Sequence, residues 1–188
     1  MRHDLLTASR PDLLIDGDDR TLRTLLHDYF AFGCHLEAAR AEFASYIGLS
    51  PTQYLILIAI SHAPEDEPAG ITQIADKLHL SGAFVTIEVN RLVAESLVEK
   101  SAHPSDGRRV QLVVTDEGVS RLIRLAGFQR PVNDALFGML SREEIRSFAS
   151  LLSRLAANGG NALKLAGHVE TTMKLVRHGA KRSRRARG

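Results

Sequence analysis

The sequence predicts a mainly α fold with a small β-hairpin wing, that is, a winged helix-turn-helix set between long flanking helices. Three observations predict it. Apolar residues return at three- and four-residue steps over most of the chain, the spacing of amphipathic helices. Between Ile71 and Ala94 two short helical runs are separated by a turn of only a few residues. Two short extended runs follow, Leu97 to Ser101 and Val110 to Val114, joined by a turn that carries Arg108 and Arg109.

In chain order, residues 1–19 read as an N-terminal arm, with apolar Leu5-Leu6 and Leu13-Leu14-Ile15 broken by Arg10-Pro11 and Asp16-Gly17. Thr7 and Ser9 have no evident partners there, and Asp18 or Asp19 is placed to cap the next helix. That helix spans roughly Arg20 to Ile47, with Leu22, Leu25, Leu26, Tyr29, Phe30, Leu36, Ala39 and Phe43 on its apolar face. Ser50-Pro51 opens a second helix with an N-cap and a proline at the first helical position. Leu55 to Ile60 is apolar all round, so this helix is buried. His62 to Gly70 is a loop, whose trio Glu65-Asp66-Glu67 reads as solvated rather than as a metal site.

Thr72 is the expected N-cap of the third helix, which buries Ile74, Ala75 and Leu78. Ser81 caps the fourth, with Val85, Val89, Leu92 and Val93 on its buried stripe. In the wing, Val110, Leu112 and Val114 share one face of a strand, and the intervening turn His103 to Arg109 has no packing reason to carry two arginines. A helix of this kind suits a major groove and a basic-tipped hairpin an adjacent minor groove.

After the wing, Thr115 caps a segment reaching Leu140 that Pro131 should kink or divide. Ser141 with Glu144 forms a capping box, opening a helix that Asn158-Gly159-Gly160 should end. Asn161 to His178 has the pattern of one more helix, followed by a basic tail to Gly188.

The residues Ile74-Ala75, Leu80-Ser81, Val85-Thr86, Arg91-Leu92, Leu97-Val98, Asp106-x-Arg108 and Leu112-Val113-Val114-Thr115-Asp116-Glu117-Gly118, in this order, resemble the MarR (multiple antibiotic resistance regulator) family of bacterial transcription factors. The likeness extends upstream through Leu49 to Tyr54 and, less specifically, over Thr21 to Gly160. It implies a homodimer on a pseudo-palindromic operator in double-stranded DNA. It also implies four regions: the arm 1–19, a helical dimerisation region 20–48 with 115–160, a winged helix-turn-helix 49–114, and a C-terminal helix and basic tail 161–188. The last of these departs from the usual family ending.

Carried onto this sequence, the family's base-facing positions are Ser81, Ala83, Phe84, Thr86, Ile87 and Asn90, with Arg91 toward a phosphate. In the wing, Asp106 would hold Arg108 toward the minor groove and Arg109 would help at the backbone. Ile87-Glu88 departs from the family, which commonly has a basic or polar residue near position 87. At 100° per residue Glu88 is expected off the buried stripe, either reading a cytosine or pairing with Arg91, and the pair is the reading we favour. The resemblance further implies a small, often aromatic and anionic effector that releases a repressor. His35, Tyr46 and Tyr54 are the candidate ligand residues, and Cys34 offers a redox-sensing alternative.

Composition narrows the classes. With 44% hydrophobic residues the chain can build a core, but its formal charge of +2 depends on the tail. Lys181, Arg182, Arg184, Arg185 and Arg187 supply five positive charges, so the remainder stands at −3 and any DNA contact must come from local patches. The tail is either a solvated end or reaches neighbouring phosphates. A single cysteine gives no disulfide framework or thiolate metal site. There is no signal-peptide pattern or membrane-spanning run, so a cytoplasmic location without membrane partners is expected. No HExxH, GxSxG or phosphate-binding glycine loop occurs, so neither an enzyme nor a cofactor is expected. The remaining rival is a protein-binding module that uses the same fold without DNA.

Overall fold

In the computed structural model a 3-10 turn Pro11–Leu13 precedes α1 (Arg20–Tyr46), α2 (Pro51–Ser61), α3 (Ile71–Leu78), α4 (Gly82–Ala94), β1 (Val98–His103), β2 (Asp106–Val114), α5 (Asp116–Phe137) and α6 (Arg142–Arg185). The structure describes residues 5–64, 68–103 and 106–185, with the backbone alone for 103, 106–109 and 175–185. The acidic trio Glu65–Glu67 and the side chains of the basic tail therefore lie outside the described residues. The chain divides into two compact units, Met1–Asp134 and Ala135–Gly188.

The first unit is built around the helix-turn-helix. Ser50 accepts from the Gln53 N–H at 3.2 Å while Gln53 Oε1 accepts from the Ser50 N–H at 2.9 Å, a complete capping box. The apolar α2 that follows buries Ile56, Leu57, Ala59 and Ile60. Around it close Phe43 and Ala44 of α1, Ile74 of α3, Val85, Val89 and Leu92 of α4, Leu97, Val98 and Leu112 of the wing, and Leu125 of α5. At Gly48 a positive φ of 73° lets the chain turn out of α1, and the Leu49 N–H returns to the Ala44 carbonyl at 2.9 Å.

Several expectations need correction. Helix α3 starts two residues earlier than its sequence suggests: Gly70 is the N-cap, its N–H held by Gln73 Oε1 at 2.7 Å, and Thr72 lies within the first turn. Both strands exceed their predicted lengths, with Val98 opposite Val114, Lys100 opposite Leu112 and an irregularity after Ala102. A third strand is reduced to one bridge, in which the Leu112 N–H donates to the Ala69 carbonyl at 2.9 Å. Pro131 does not divide α5, which is one helix to Phe137; Phe128 and Val132 pack on the core either side of the proline and offset its missing N–H.

The arm is tied down where the sequence showed no partner. Thr7 donates to Asp19 Oδ2 from its amide and its hydroxyl, both at 2.6 Å, and Arg23 lies 3.2 Å from Oδ1. Asp19 is wholly buried, and it is Asp18 that accepts from the Arg20 N–H at 2.8 Å. The Thr7 hydroxyl, then the Thr7 amide, lower the Asp19 pKa, with Arg23 adding to them against the effect of burial. A depressed carboxyl pKa contributes stability at pH values above about 4 that is lost as pH falls through the native value. We therefore expect protection of arm amides in hydrogen exchange to fall in that acidic range, and Asp19→Asn to abolish this pH dependence.

In the second unit α6 begins with the expected box: Ser141 Oγ accepts from the Glu144 N–H at 3.3 Å and Glu144 Oε2 from the Ser141 N–H at 2.8 Å. It does not end at Gly159-Gly160 but continues as one helix of 44 residues. A mid-helix glycine costs about 1 kcal/mol, whereas starting a helix afresh costs about 4 kcal/mol from a nucleation constant near 10⁻³. Continuing is cheaper. A Cβ at Gly160 would meet nothing within 4 Å, so Gly160→Ala should raise stability by about 0.5–1 kcal/mol in thermal unfolding.

Candidate nucleic-acid interface

Helix α4 is fixed at both ends and on one face, and this orients the other. Ser81 Oγ accepts from the Phe84 N–H at 3.2 Å at its start. The three-residue turn before it is closed by His79 in a left-handed conformation (φ 54°), with the Leu80 N–H donating to the Ala75 carbonyl at 2.9 Å. Val85, Val89 and Leu92 are fully buried, which leaves Ser81, Ala83, Phe84, Ile87, Asn90 and Arg91 exposed together. Thr86 is half-buried, its hydroxyl donating to the Gly82 carbonyl at 2.8 Å. Phe84 and Ile87 stand out as large apolar side chains, 40% and 51% exposed, suited to contact with thymine methyl groups.

Glu88 corrects one expectation and agrees with another. It is not off the buried stripe: only 4% exposed, it sits among the core-facing residues of α4. Its Oε1 accepts from Arg91 Nη1 at 2.6 Å, the favoured pair, and its Oε2 is buried with no hydrogen-bond partner among the described residues. A carboxylate so placed cannot reach a base edge without leaving the core. It positions Arg91 instead.

Two cations that sequence reasoning passed over join this region. Lys100 on β1 donates from Nζ to Asn90 Oδ1 at 3.4 Å, bringing a third polar group beside Asn90 and Arg91. Only its alternation on the strand could have signalled it. Arg121 of α5 reaches Glu95 at 3.1 Å, Glu117 at 3.2 Å and the Ile47 carbonyl at 3.4 Å, linking the ends of α4 and α1 to α5. In the wing the backbone of Asp106, Arg108 and Arg109 belongs to β2, and their side chains lie outside the described residues.

The candidate ligand residues are only partly brought together. The Tyr46 ring lies 4.9 Å from Phe128, and Phe43 stands between Phe128 (5.7 Å) and Tyr54 (6.4 Å), so both tyrosines join one aromatic cluster. Tyr54 is a core residue whose hydroxyl accepts from Gln129 Nε2 at 2.7 Å. Burial raises its pKa, while Gln129 and then Arg40 pull it back. His35 is exposed and lies eleven residues from Tyr46 along α1, about 16 Å at the helical rise. Cys34 is also exposed. An open groove of about 450 Å³ lies elsewhere, between the end of α2, β2 and Val119 of α5, and none of the three candidates lines it.

Comparison with known proteins now bears on this geometry. Residues 47–109, from the end of α1 into β2, match the model described as MarR family. The HTH-type transcriptional regulator MhqR of Bacillus subtilis is 29% identical over 111 residues, 59% of this chain and 74% of that one. Its winged-helix segment is of the MarR family. Solved structures agree in fold: a MarR-family regulator of Streptomyces coelicolor in complex with DNA gives a TM-score of 0.62 at 22% identity, covering 73% of this chain and 89% of its own. The PcaV transcriptional regulator of Streptomyces coelicolor, solved with its natural ligand, gives 0.52 at 25% identity over 68% and 90%. With that segment the chain is a transcriptional regulator with a winged-helix DNA-binding fold, and the proteins it matches are regulators rather than enzymes. Among the described residues no group of three or more His, Cys, Asp or Glu is placed to hold a metal, and no single helix is long and apolar enough to cross a membrane.

Proposed function

We propose that the chain is a cytoplasmic repressor that binds a pseudo-palindromic operator as a homodimer and is released by a small, aromatic or anionic effector. The observation that carries the DNA reading is the outward face of α4, where Ser81, Ala83, Phe84, Ile87, Asn90 and Arg91 stand exposed on a helix whose opposite face is core. Ser81 to Asn90 face bases and Arg91, with Lys100 beside it, faces phosphate. The family resemblance assigns Arg108 of the wing to the minor groove, with Asp106 and Arg109 in support.

The homodimer is supported by α1, on which Leu25, Tyr29 and Phe30 are 51–66% exposed in the single chain, too much apolar surface to leave in water. The effector is supported by the likeness to PcaV, whose structure holds a ligand, and by the half-open Tyr46–Phe128 pair. No observation favours the cysteine-based alternative at Cys34. A gel-shift with genomic fragments, followed by addition of small aromatic carboxylates, tests the reading. Discrete shifts that the compounds reverse support it, and they should persist in Cys34→Ser. No shifted fragment would favour the protein-binding module instead.

A further inference from the structure

Helix α6 runs 44 residues, about 66 Å, well past Gly160. Leu152, Leu155, Gly159, Ala162, Ala166 and Val169 recur on it at alternating steps of three and four. The same run reaches back through Phe148 to Ile145 and forward through Met173 to Val176. A repeat of 3.5 residues held this long is the seam of a coiled coil rather than the stripe of a helix lying on a globular core. The seam residues Leu155 and Met173 are 64% and 63% exposed in the single chain. Gly159 sits on the seam, yet a Cβ there would meet nothing within 4 Å, so nothing within the chain requires its small size.

We propose that α6 pairs antiparallel with α6 of a second copy of this chain, crossing at Gly159 to Ala162. The proposal rests on the homodimer reading and extends it to the segment beyond Gly160. The seam is self-complementary about a two-fold axis between Gly160 and Asn161. In that register Ile145 meets Val176, Leu152 meets Val169, Leu155 meets Ala166, and Gly159 meets Ala162, so every contact joins two seam residues. The smallest pair falls at the axis, where the helices approach most closely.

Charge selects the direction. The acidic first turn brings Glu144 level with Arg177 and Glu143 level with His178 of the second copy, joining opposite ends of the two helices. A parallel pair would set Lys181, Arg182, Arg184 and Arg185 of one helix level with the same four of the other.

The test uses the full chain with Cys34→Ser, spin-labelled at Ala157→Cys or at Thr171→Cys, both on the outer face of the seam. An antiparallel pair separates the two labels along the axis by about 10 Å at 157 and about 32 Å at 171. Dipolar distances that lengthen from 157 to 171 support the proposal, and equal distances at both sites overturn it. Sedimentation of the unlabelled protein comes first: a monomer would sink the homodimer reading and this inference with it. A dimer with equal label distances leaves that reading intact and removes only the antiparallel pair. Val169→Glu, on the seam, should weaken dimerisation at least tenfold, whereas Thr171→Glu should not; identical dissociation constants for the two would also overturn the proposal.

Discussion

Gly118→Ala should destabilise the first unit by about 3 kcal/mol, the upper end of what overpacking a well-filled site costs. A Cβ at this position would fall against the Leu97 carbonyl and 2.6 Å from Val114 Cγ1. The Leu97 carbonyl has no room to retreat. The Leu97 carbonyl accepts from the Thr115 N–H at 3.1 Å, the Leu97 N–H donates to the Leu92 carbonyl at 2.9 Å, and the Leu97 side chain is fully buried. Thr115 is itself fixed, its hydroxyl donating to the Ser96 carbonyl at 2.6 Å and accepting from the Gly118 N–H at 3.1 Å. Helix α5 therefore starts directly on the backbone that links α4 to the wing, and only glycine allows that approach. Chemical denaturation should show the loss in midpoint with little change in slope. A variant as stable as the wild type would mean that the start of α5 shifts freely.

Glu88→Met should act with opposite sign, stabilising the fold by about 1–2 kcal/mol. The wild-type carboxylate is buried, with one oxygen paired to Arg91 and the other unpartnered among the described residues. Replacing such a group by an apolar side chain of similar length removes a desolvation cost that one ion pair does not offset. The effect on DNA follows from the same geometry. Arg91 loses its neutralising partner, so affinity should change by the same factor for an operator and its single-base variants. The dependence of log K on log salt should steepen by about one phosphate contact. Discrimination lost at a single C·G pair would show that Glu88 leaves the core to read a base.

Local chemistry was legible in the sequence. The caps at Ser50, Ser81 and Ser141 each need only a hydroxyl and an amide three residues on, and all three are present. The fold class followed, because the buried stripes of α3 and α4 and the alternation of β2 are short-range patterns. What was not legible depends on third parties. Glu88 is buried because α2, α3 and β1 close over a wider arc of α4 than its aliphatic stripe marks. Asp19 is held by Thr7, twelve residues away, and no periodicity connects them. Gly159-Gly160 looked like a stop because glycine ends helices when another conformation is available, and here helix continues on both sides. At the interface the α4 positions could be placed on an exposed face, whereas Lys100 needed the strand register to bring it beside Asn90.

The central claim is that α4 reads duplex DNA, and selection from a random duplex library tests it most directly. The full chain should enrich a two-fold symmetric site whose half-sites lie about 34 Å apart, bound at least about 10³-fold more tightly than random duplex at physiological salt. No enrichment, with selected and random duplexes bound alike, would contradict it.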